Sequence, residues 1–101
     1  MYKKLNLNLI LDFLTKKRAY LSKRYGVKDI GVFGSYVHNL QNINSDIDIL
    51  VEFNKQQKTF DNYMELKFYI QDKLAKEIDL CIKNSIRKEF KNKILNEVVY
   101  G

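Results

Sequence analysis

Residues 46–53, Asp-Ile-Asp-Ile-Leu-Val-Glu-Phe, constrain this chain more than any other segment. In a strand, alternation sends Ile47, Ile49, Val51 and Phe53 to one face and Asp46 and Asp48 to the other. The aliphatic face must be buried against another layer, which leaves the two aspartates on the reverse side. Carboxylates two residues apart at a strand start repel each other unless a cation lies between them, and a divalent metal is the natural candidate. Ten residues separate this pair from Gly34-Ser35, where another apolar run ends. Such a turn lets a phosphate come close to the main chain. Residues 34–48 therefore point to metal-dependent chemistry on a nucleotide.

The elements around this stretch follow from periodicity. Leu7, Ile10, Leu11, Leu14, Leu21 and Tyr25 recur at helical spacing, with Lys16, Lys17, Arg18, Lys23 and Arg24 opposite. The spacing predicts a helix over 7–25, closed by Gly26 as a left-handed cap. Val27 to Phe33 reads as a strand, Tyr36 to Leu40 as a brief helix and Gln41 to Ser45 as a polar loop. After the Asp46–Phe53 strand and a turn over 54–58, Thr59 is the expected N-cap of a helix over about 60–76. Glu77 to Ile82 alternates again, with Ile78, Leu80 and Ile82 on one side and Glu77, Asp79 and Cys81 on the other. Asn84 or Ser85 is expected to cap a last helix whose apolar face is Ile86, Phe90, Ile94 and Val98. The expected fold is α+β, close to α/β: a small mixed sheet packed by helices in the order α-β-α-β-α-β-α.

Length and composition narrow the function. At 101 residues the expectation is a single domain over 1–101, with no linker, no internal repeat and no room for a separate substrate domain. The apolar runs are short and broken by charge, so no membrane span is expected. The start, Met-Tyr-Lys-Lys-Leu-Asn-Leu-Asn, lacks the small-residue cleavage site of a leader. One cysteine, Cys81, cannot form an internal disulfide, which fits a reducing cytoplasm. The net charge of +6 comes from 18 basic residues scattered along the chain in runs of three at most, which argues against direct nucleic-acid binding.

A third carboxylate joins the pair. Asp79 occupies the polar phase of a strand whose other phase is aliphatic. If both strands bury their aliphatic phases against the same helices, Asp46, Asp48 and Asp79 project from one face. Neighbouring strands lie about 4.8 Å apart, which is metal-bridging reach. Mg²⁺ takes oxygen ligands from a few carboxylates and from substrate phosphates. Two such ions stabilise the attacking and leaving oxygens of an in-line displacement at phosphorus. A strand that ends in Gly34 and turns into a helix would add free backbone amides for phosphate, with the Ser35 hydroxyl beside them.

This set resembles the nucleotidyltransferase superfamily typified by DNA polymerase beta, whose signature is a Gly-Ser turn, a D-x-D and a later aspartate. More closely, nearly the whole chain resembles the minimal nucleotidyltransferase (MNT) antitoxins of HEPN/MNT toxin–antitoxin pairs. The likeness rests on Gly34-Ser35, the ten-residue gap, Ser45 to Phe53, Glu77-Ile78-Asp79-Leu80, and an ending, Lys93 to Tyr100, that is similar to the family's terminal helix. The resemblance implies Mg²⁺-dependent transfer of AMP from ATP to a tyrosine of a partner HEPN ribonuclease toxin, within a hetero-oligomer. It implies Asp46, Asp48 and Asp79 as metal ligands, with Asp79 helping to activate the attacking hydroxyl. Gly34 and Ser35 would hold the triphosphate, and His38 stands at a phosphate-facing position. The chain departs from the family at Tyr36-Val37-His38-Asn39, where many members have aromatic-Ala-Arg-Gly. An imidazole replaces a permanent cation there. That departure motivates a second reading, an antitoxin weak or inactive in catalysis that neutralises the toxin by binding alone. The small-molecule branch of the superfamily normally carries an extra substrate-binding domain, which this chain lacks. Glu52 shares the aspartates' phase at the strand's far end and reads as structural.

Overall fold

The computed structural model describes residues 5–101; residues 1–4, which begin the stretch that lacks a leader's cleavage site, lie outside the described residues. The first helix, α1 (Leu7–Tyr25), starts where the Asn6 side chain accepts the Leu9 amide at 2.9 Å. It stops at Gly26, whose φ of 74° turns its amide back onto the carbonyls of Leu21 and Ser22. The chain continues through β1 (Val27–Phe33), β2 (Ile47–Phe53), α2 (Phe60–Leu74), β3 (Ile78–Ile82), α3 (Lys88–Glu97) and β4 (Val99–Tyr100). Thr59 caps α2 as expected, its Oγ1 accepting the Asn62 amide at 3.1 Å.

The strands form one mixed sheet in the order β3-β2-β1-β4. The β1–β2 and β1–β4 pairs are antiparallel, and β2 and β3 run parallel. A parallel pair needs a crossover, and α2 is that crossover. The sheet divides the protein's tasks between its faces. Ile30, Val32, Ile47, Ile49, Val51, Ile78 and Leu80 are buried against Ile10, Leu14 and Leu21 of α1 and Leu66 and Ile70 of α2. Each such side chain taken from water stabilises the fold by about 1.5–3 kcal/mol before the entropy cost of ordering it. The other face is organised in rows by register. Phe33, Asp48 and Asp79 lie side by side in one row, and Gly31, Leu50 and Cys81 in another.

The C-terminal region differs from expectation in three ways. Neither Asn84 nor Ser85 caps a helix: Lys83–Ser85 forms a 3-10 turn, and α3 starts after Arg87 with no side-chain cap. Ile86 lies outside the helix in extended conformation, so the apolar side of α3 is Phe90 and Ile94. The resemblance to a terminal helix ends at Glu97, because Val98 turns extended and Val99–Tyr100 add a fourth strand. The free edge of β1 accounts for this switch, since an unpaired strand edge offers hydrogen bonds that a last helical turn cannot match. Similarly, the brief helix expected over Tyr36–Leu40 is a 3-10 turn at Gly34–Tyr36 followed by hydrogen-bonded turns.

Gly31 lets β4 dock, because a Cβ there would stand 2.8 Å from both Val98 Cγ2 and the Val99 carbonyl oxygen. Gly31→Val is expected to destabilise the protein by about 1–3 kcal/mol in urea unfolding. Hydrogen exchange is expected to show lost protection at the Gly101 amide, which donates to the Ile30 carbonyl, while β2 amides stay protected.

Candidate active site

The site is built where β1 ends beside the start of β2. Phe33, the last residue of β1, pairs with Asp48, so the next residue, Gly34, faces the Asp48 carboxylate. Gly34 has φ of 76°, a conformation that side chains rarely adopt. A Cβ at this position would also overlap Asp48 Oδ2 and lie 3.0 Å from Cγ. Both requirements select glycine. The turn closes with the amides of Val37 and His38 donating to the Gly34 carbonyl, and that of Leu40 to the Ser35 carbonyl.

Parallel register then brings Asp79 of β3 directly beside Asp48. Asp48 is half-buried and stands directly opposite Asp79 in the ladder. Its carboxyl is pushed up to about 6, first by burial, then by the charge and hydrogen bond of Asp79, and further by Asp46 and Glu97. Asp46 lies one residue ahead of β2 and is exposed, near enough that its charge also raises buried Tyr36, whose main perturbation is burial. The charges of Asp46 and Asp79 both bear on Asp48, but the three carboxylates do not close into the metal-bridging cluster expected from their shared strand phase, because Asp46 stands exposed ahead of β2. Glu52 instead reaches Lys83 at 3.5 Å and Lys28 at 3.8 Å, at the far end of the strand.

The donor chemistry fits a hard divalent cation. Cys81 follows Asp79 on the same face, but its thiol is pushed up to about 11 by burial and by the charges of Asp79 and Asp48. It offers no thiolate at neutral pH, so oxygen donors remain. Among the described residues no three His, Cys, Asp or Glu side chains stand together as a ready-made metal cage. One or two carboxylates completed by water and substrate phosphate are what Mg²⁺ uses, whereas Ca²⁺ and Zn²⁺ favour fuller protein shells.

Gly34 and His38 share a neighbour that the sequence did not indicate. Glu97, the last residue of α3, accepts the Gly34 amide through Oε1 at 3.2 Å. Its Oε2 accepts from His38 Nε2 at 2.6 Å. His38 itself is exposed. Glu97 lies 63 residues from Gly34, and no local pattern marks it.

The chain matches the nucleotidyltransferase domain family over residues 14–100. It is 38% identical over 96 residues to a protein adenylyltransferase, MntA, of Thermococcus cleftensis, covering 95% of this chain and 96% of the relative. Among solved structures it superposes with a TM-score of 0.76 on one provisionally described as a minimal nucleotidyltransferase, at 22% identity, covering 97% of this chain and 98% of the other. A TM-score of 0.66 relates it to a tri-AMPylated Shewanella oneidensis HEPN toxin in complex with MNT antitoxin, at 19% identity over 93% of this chain and 70% of that one. The two structural likenesses carry the fold.

Because the folded state holds the Asp48 proton more tightly than the unfolded chain, stability falls as pH rises from the ordinary carboxylate value of 3.8 through about 6. Asp48→Asn removes the charge and is expected to raise the Tm by about 2–6 °C at pH 7.5. The gain is expected to vanish near about pH 3.5, where the native carboxyl is already protonated. Thermal melts at the two pH values check this.

Proposed function

Because this chain belongs to the nucleotidyltransferase domain family, we propose that it is an antitoxin that transfers AMP from ATP to a tyrosine of a HEPN-type ribonuclease toxin. The supporting observation is the Asp48 carboxylate, held between Gly34 and Asp79 at the cost of its own desolvation. A fold selected for stability alone would place an amide or a methyl group there. The adenylyltransferase relative and the AMPylated HEPN toxin complex support the choice of AMP and of a protein acceptor.

Asp46, Asp48 and Asp79 are the residues that would hold Mg²⁺. Bound there, the ion supplies neutralisation of phosphate charge and of the developing oxyanions. Gly34, which has no Cβ of its own, would let main chain at the Gly34-Ser35 turn come close to the triphosphate. Asp79, at the exposed end of the carboxylate row, would accept the proton of the tyrosine hydroxyl as its oxygen bonds the α-phosphorus of ATP and pyrophosphate leaves. Asp48 lies within β2 between Gly34 and Asp79, so the phosphorus would be oriented by a group carried on the sheet.

Purified protein, incubated with labelled ATP, Mg²⁺ and a HEPN-type toxin as acceptor, is expected to label the toxin. The double variant Asp46→Ala, Asp48→Ala is expected to lower labelling by at least about 10³-fold, the scale on which removed catalytic groups act. Label transfer that survives in the double variant sinks the reading.

The engagement of His38 by Glu97, together with Asn39 in a family glycine position, favours a second reading: a binding-only antitoxin. On that reading the double variant still protects cells that express the toxin. Loss of protection in a variant that still binds the toxin rules it out.

A further inference from the structure

The proposed nucleotide site deepens at Glu97, and the role inferred for this residue rests on that reading of the site. The Gly34 amide is the donor that a phosphate entering the turn would meet, and His38 Nε2 is the imidazole donor beside it. One carboxylate takes both, Oε1 at 3.2 Å from the amide and Oε2 at 2.6 Å from the imidazole. A carboxylate that bridges two donors in this way presents its oxygens as two phosphate oxygens would. The Glu97 side chain is only 13% exposed, so it is packed into the site, where a freely solvated glutamate would not engage both donors.

Its position is imposed from two sides. It closes α3, and after Val98 the chain enters β4, which is pinned to Gly31 and Val32 of β1. The Gly101 amide donates to the Ile30 carbonyl, and the Arg18 guanidinium donates to the Gly101 carbonyl at 2.7 Å. The strand therefore holds the end of α3 over the turn. The charge of Glu97 also adds to the field that raises Asp48, so Glu97 brings negative charge to a site whose proposed ligand is a polyanion.

We propose that Glu97 is an intramolecular occupant of the phosphate seat, which a nucleotide triphosphate must displace in order to bind. Displacement requires only a side-chain rotation, which leaves the β4 pairing intact. The triphosphate wins because it carries more charge and arrives with its cation, whereas Glu97 offers one carboxylate, paired to His38. The contact sets the nucleotide concentration at which the site fills, and it keeps the Gly34 amide and the His38 imidazole from binding lesser anions.

Calorimetric titration of Mg²⁺–tripolyphosphate, Mg²⁺–ATP and adenosine into wild type, Glu97→Gln and Glu97→Ala tests the proposal. Glu97→Ala frees both donors and removes the charge. It is expected to bind tripolyphosphate and ATP more tightly by on the order of tenfold, the worth of one charge-assisted hydrogen bond given up. Glu97→Gln removes the charge and keeps an acceptor, so its gain is smaller, and adenosine binds all three forms alike. Far-UV circular dichroism and melting establish that the variants fold, and if the alanine variant does not fold, the glutamine variant decides. Unchanged or weaker polyphosphate binding in a folded variant overturns the proposal and shows Glu97 to be a strut for the turn, leaving the proposed function intact. If no form binds ATP or tripolyphosphate, the inference and the proposed function fall together.

Discussion

The structure depends on one unfavourable contact, the Asp48 carboxylate half-buried between the Gly34 turn and Asp79. Packing does not require it, and electrostatics oppose it. It persists because backbone register on both sides leaves no alternative. Antiparallel pairing aligns Phe33 with Asp48, and parallel pairing aligns Asp48 with Asp79. The remaining features of the site follow from this placement. Gly34 must be glycine to make room for the carboxylate, and Cys81 is held as a thiol by burial and the same negative field. A cation is the partner that would relieve the repulsion. Strained or repulsive groups held by a stable scaffold commonly mark sites of chemistry.

The scaffold that bears this cost lies on the opposite face. The aliphatic residues of β1, β2 and β3 close against α1 and α2. The other face also buries Phe33 and Leu50, but beside them it carries Asp48, Asp79 and Cys81, which are free to serve chemistry. The separation is a property of strand alternation, in which each residue that leaves the core faces the site.

Much of this was legible in advance. Helix α1 matches its expected span to the residue, because Gly26 marks its end and the Ile10, Leu14, Leu21 stripe marks its face. β1 matches as well, and β2 and β3 each begin one residue later than expected. Thr59 stands where a cap was expected. The misses share a cause. Val98 falls on the Ile94 face of a helix read by periodicity, and only the open edge of β1, far earlier in the sequence, draws the chain out into β4. The 3-10 turn at Gly34–Tyr36 replaced a short helix because Gly34 must take a positive φ to accommodate Asp48. Glu97 had no sequence signal at all, since its partners Gly34 and His38 lie about sixty positions earlier.

The sequence alone therefore determined the elements, the division of each strand into an aliphatic and a polar phase, and the aspartates that share the polar phase. These depend on local periodicity and on the steric freedom of single residues, both of which act between near neighbours. The tertiary structure decided which strands became neighbours, and hence that Asp79 stands beside Asp48 and not one pair further along. It also decided that the chain's end returns to β1 and carries Glu97 onto Gly34. Such contacts are set by the closure of a sheet around a shared core. No local pattern encodes that closure, because its energy is gained only when distant segments meet.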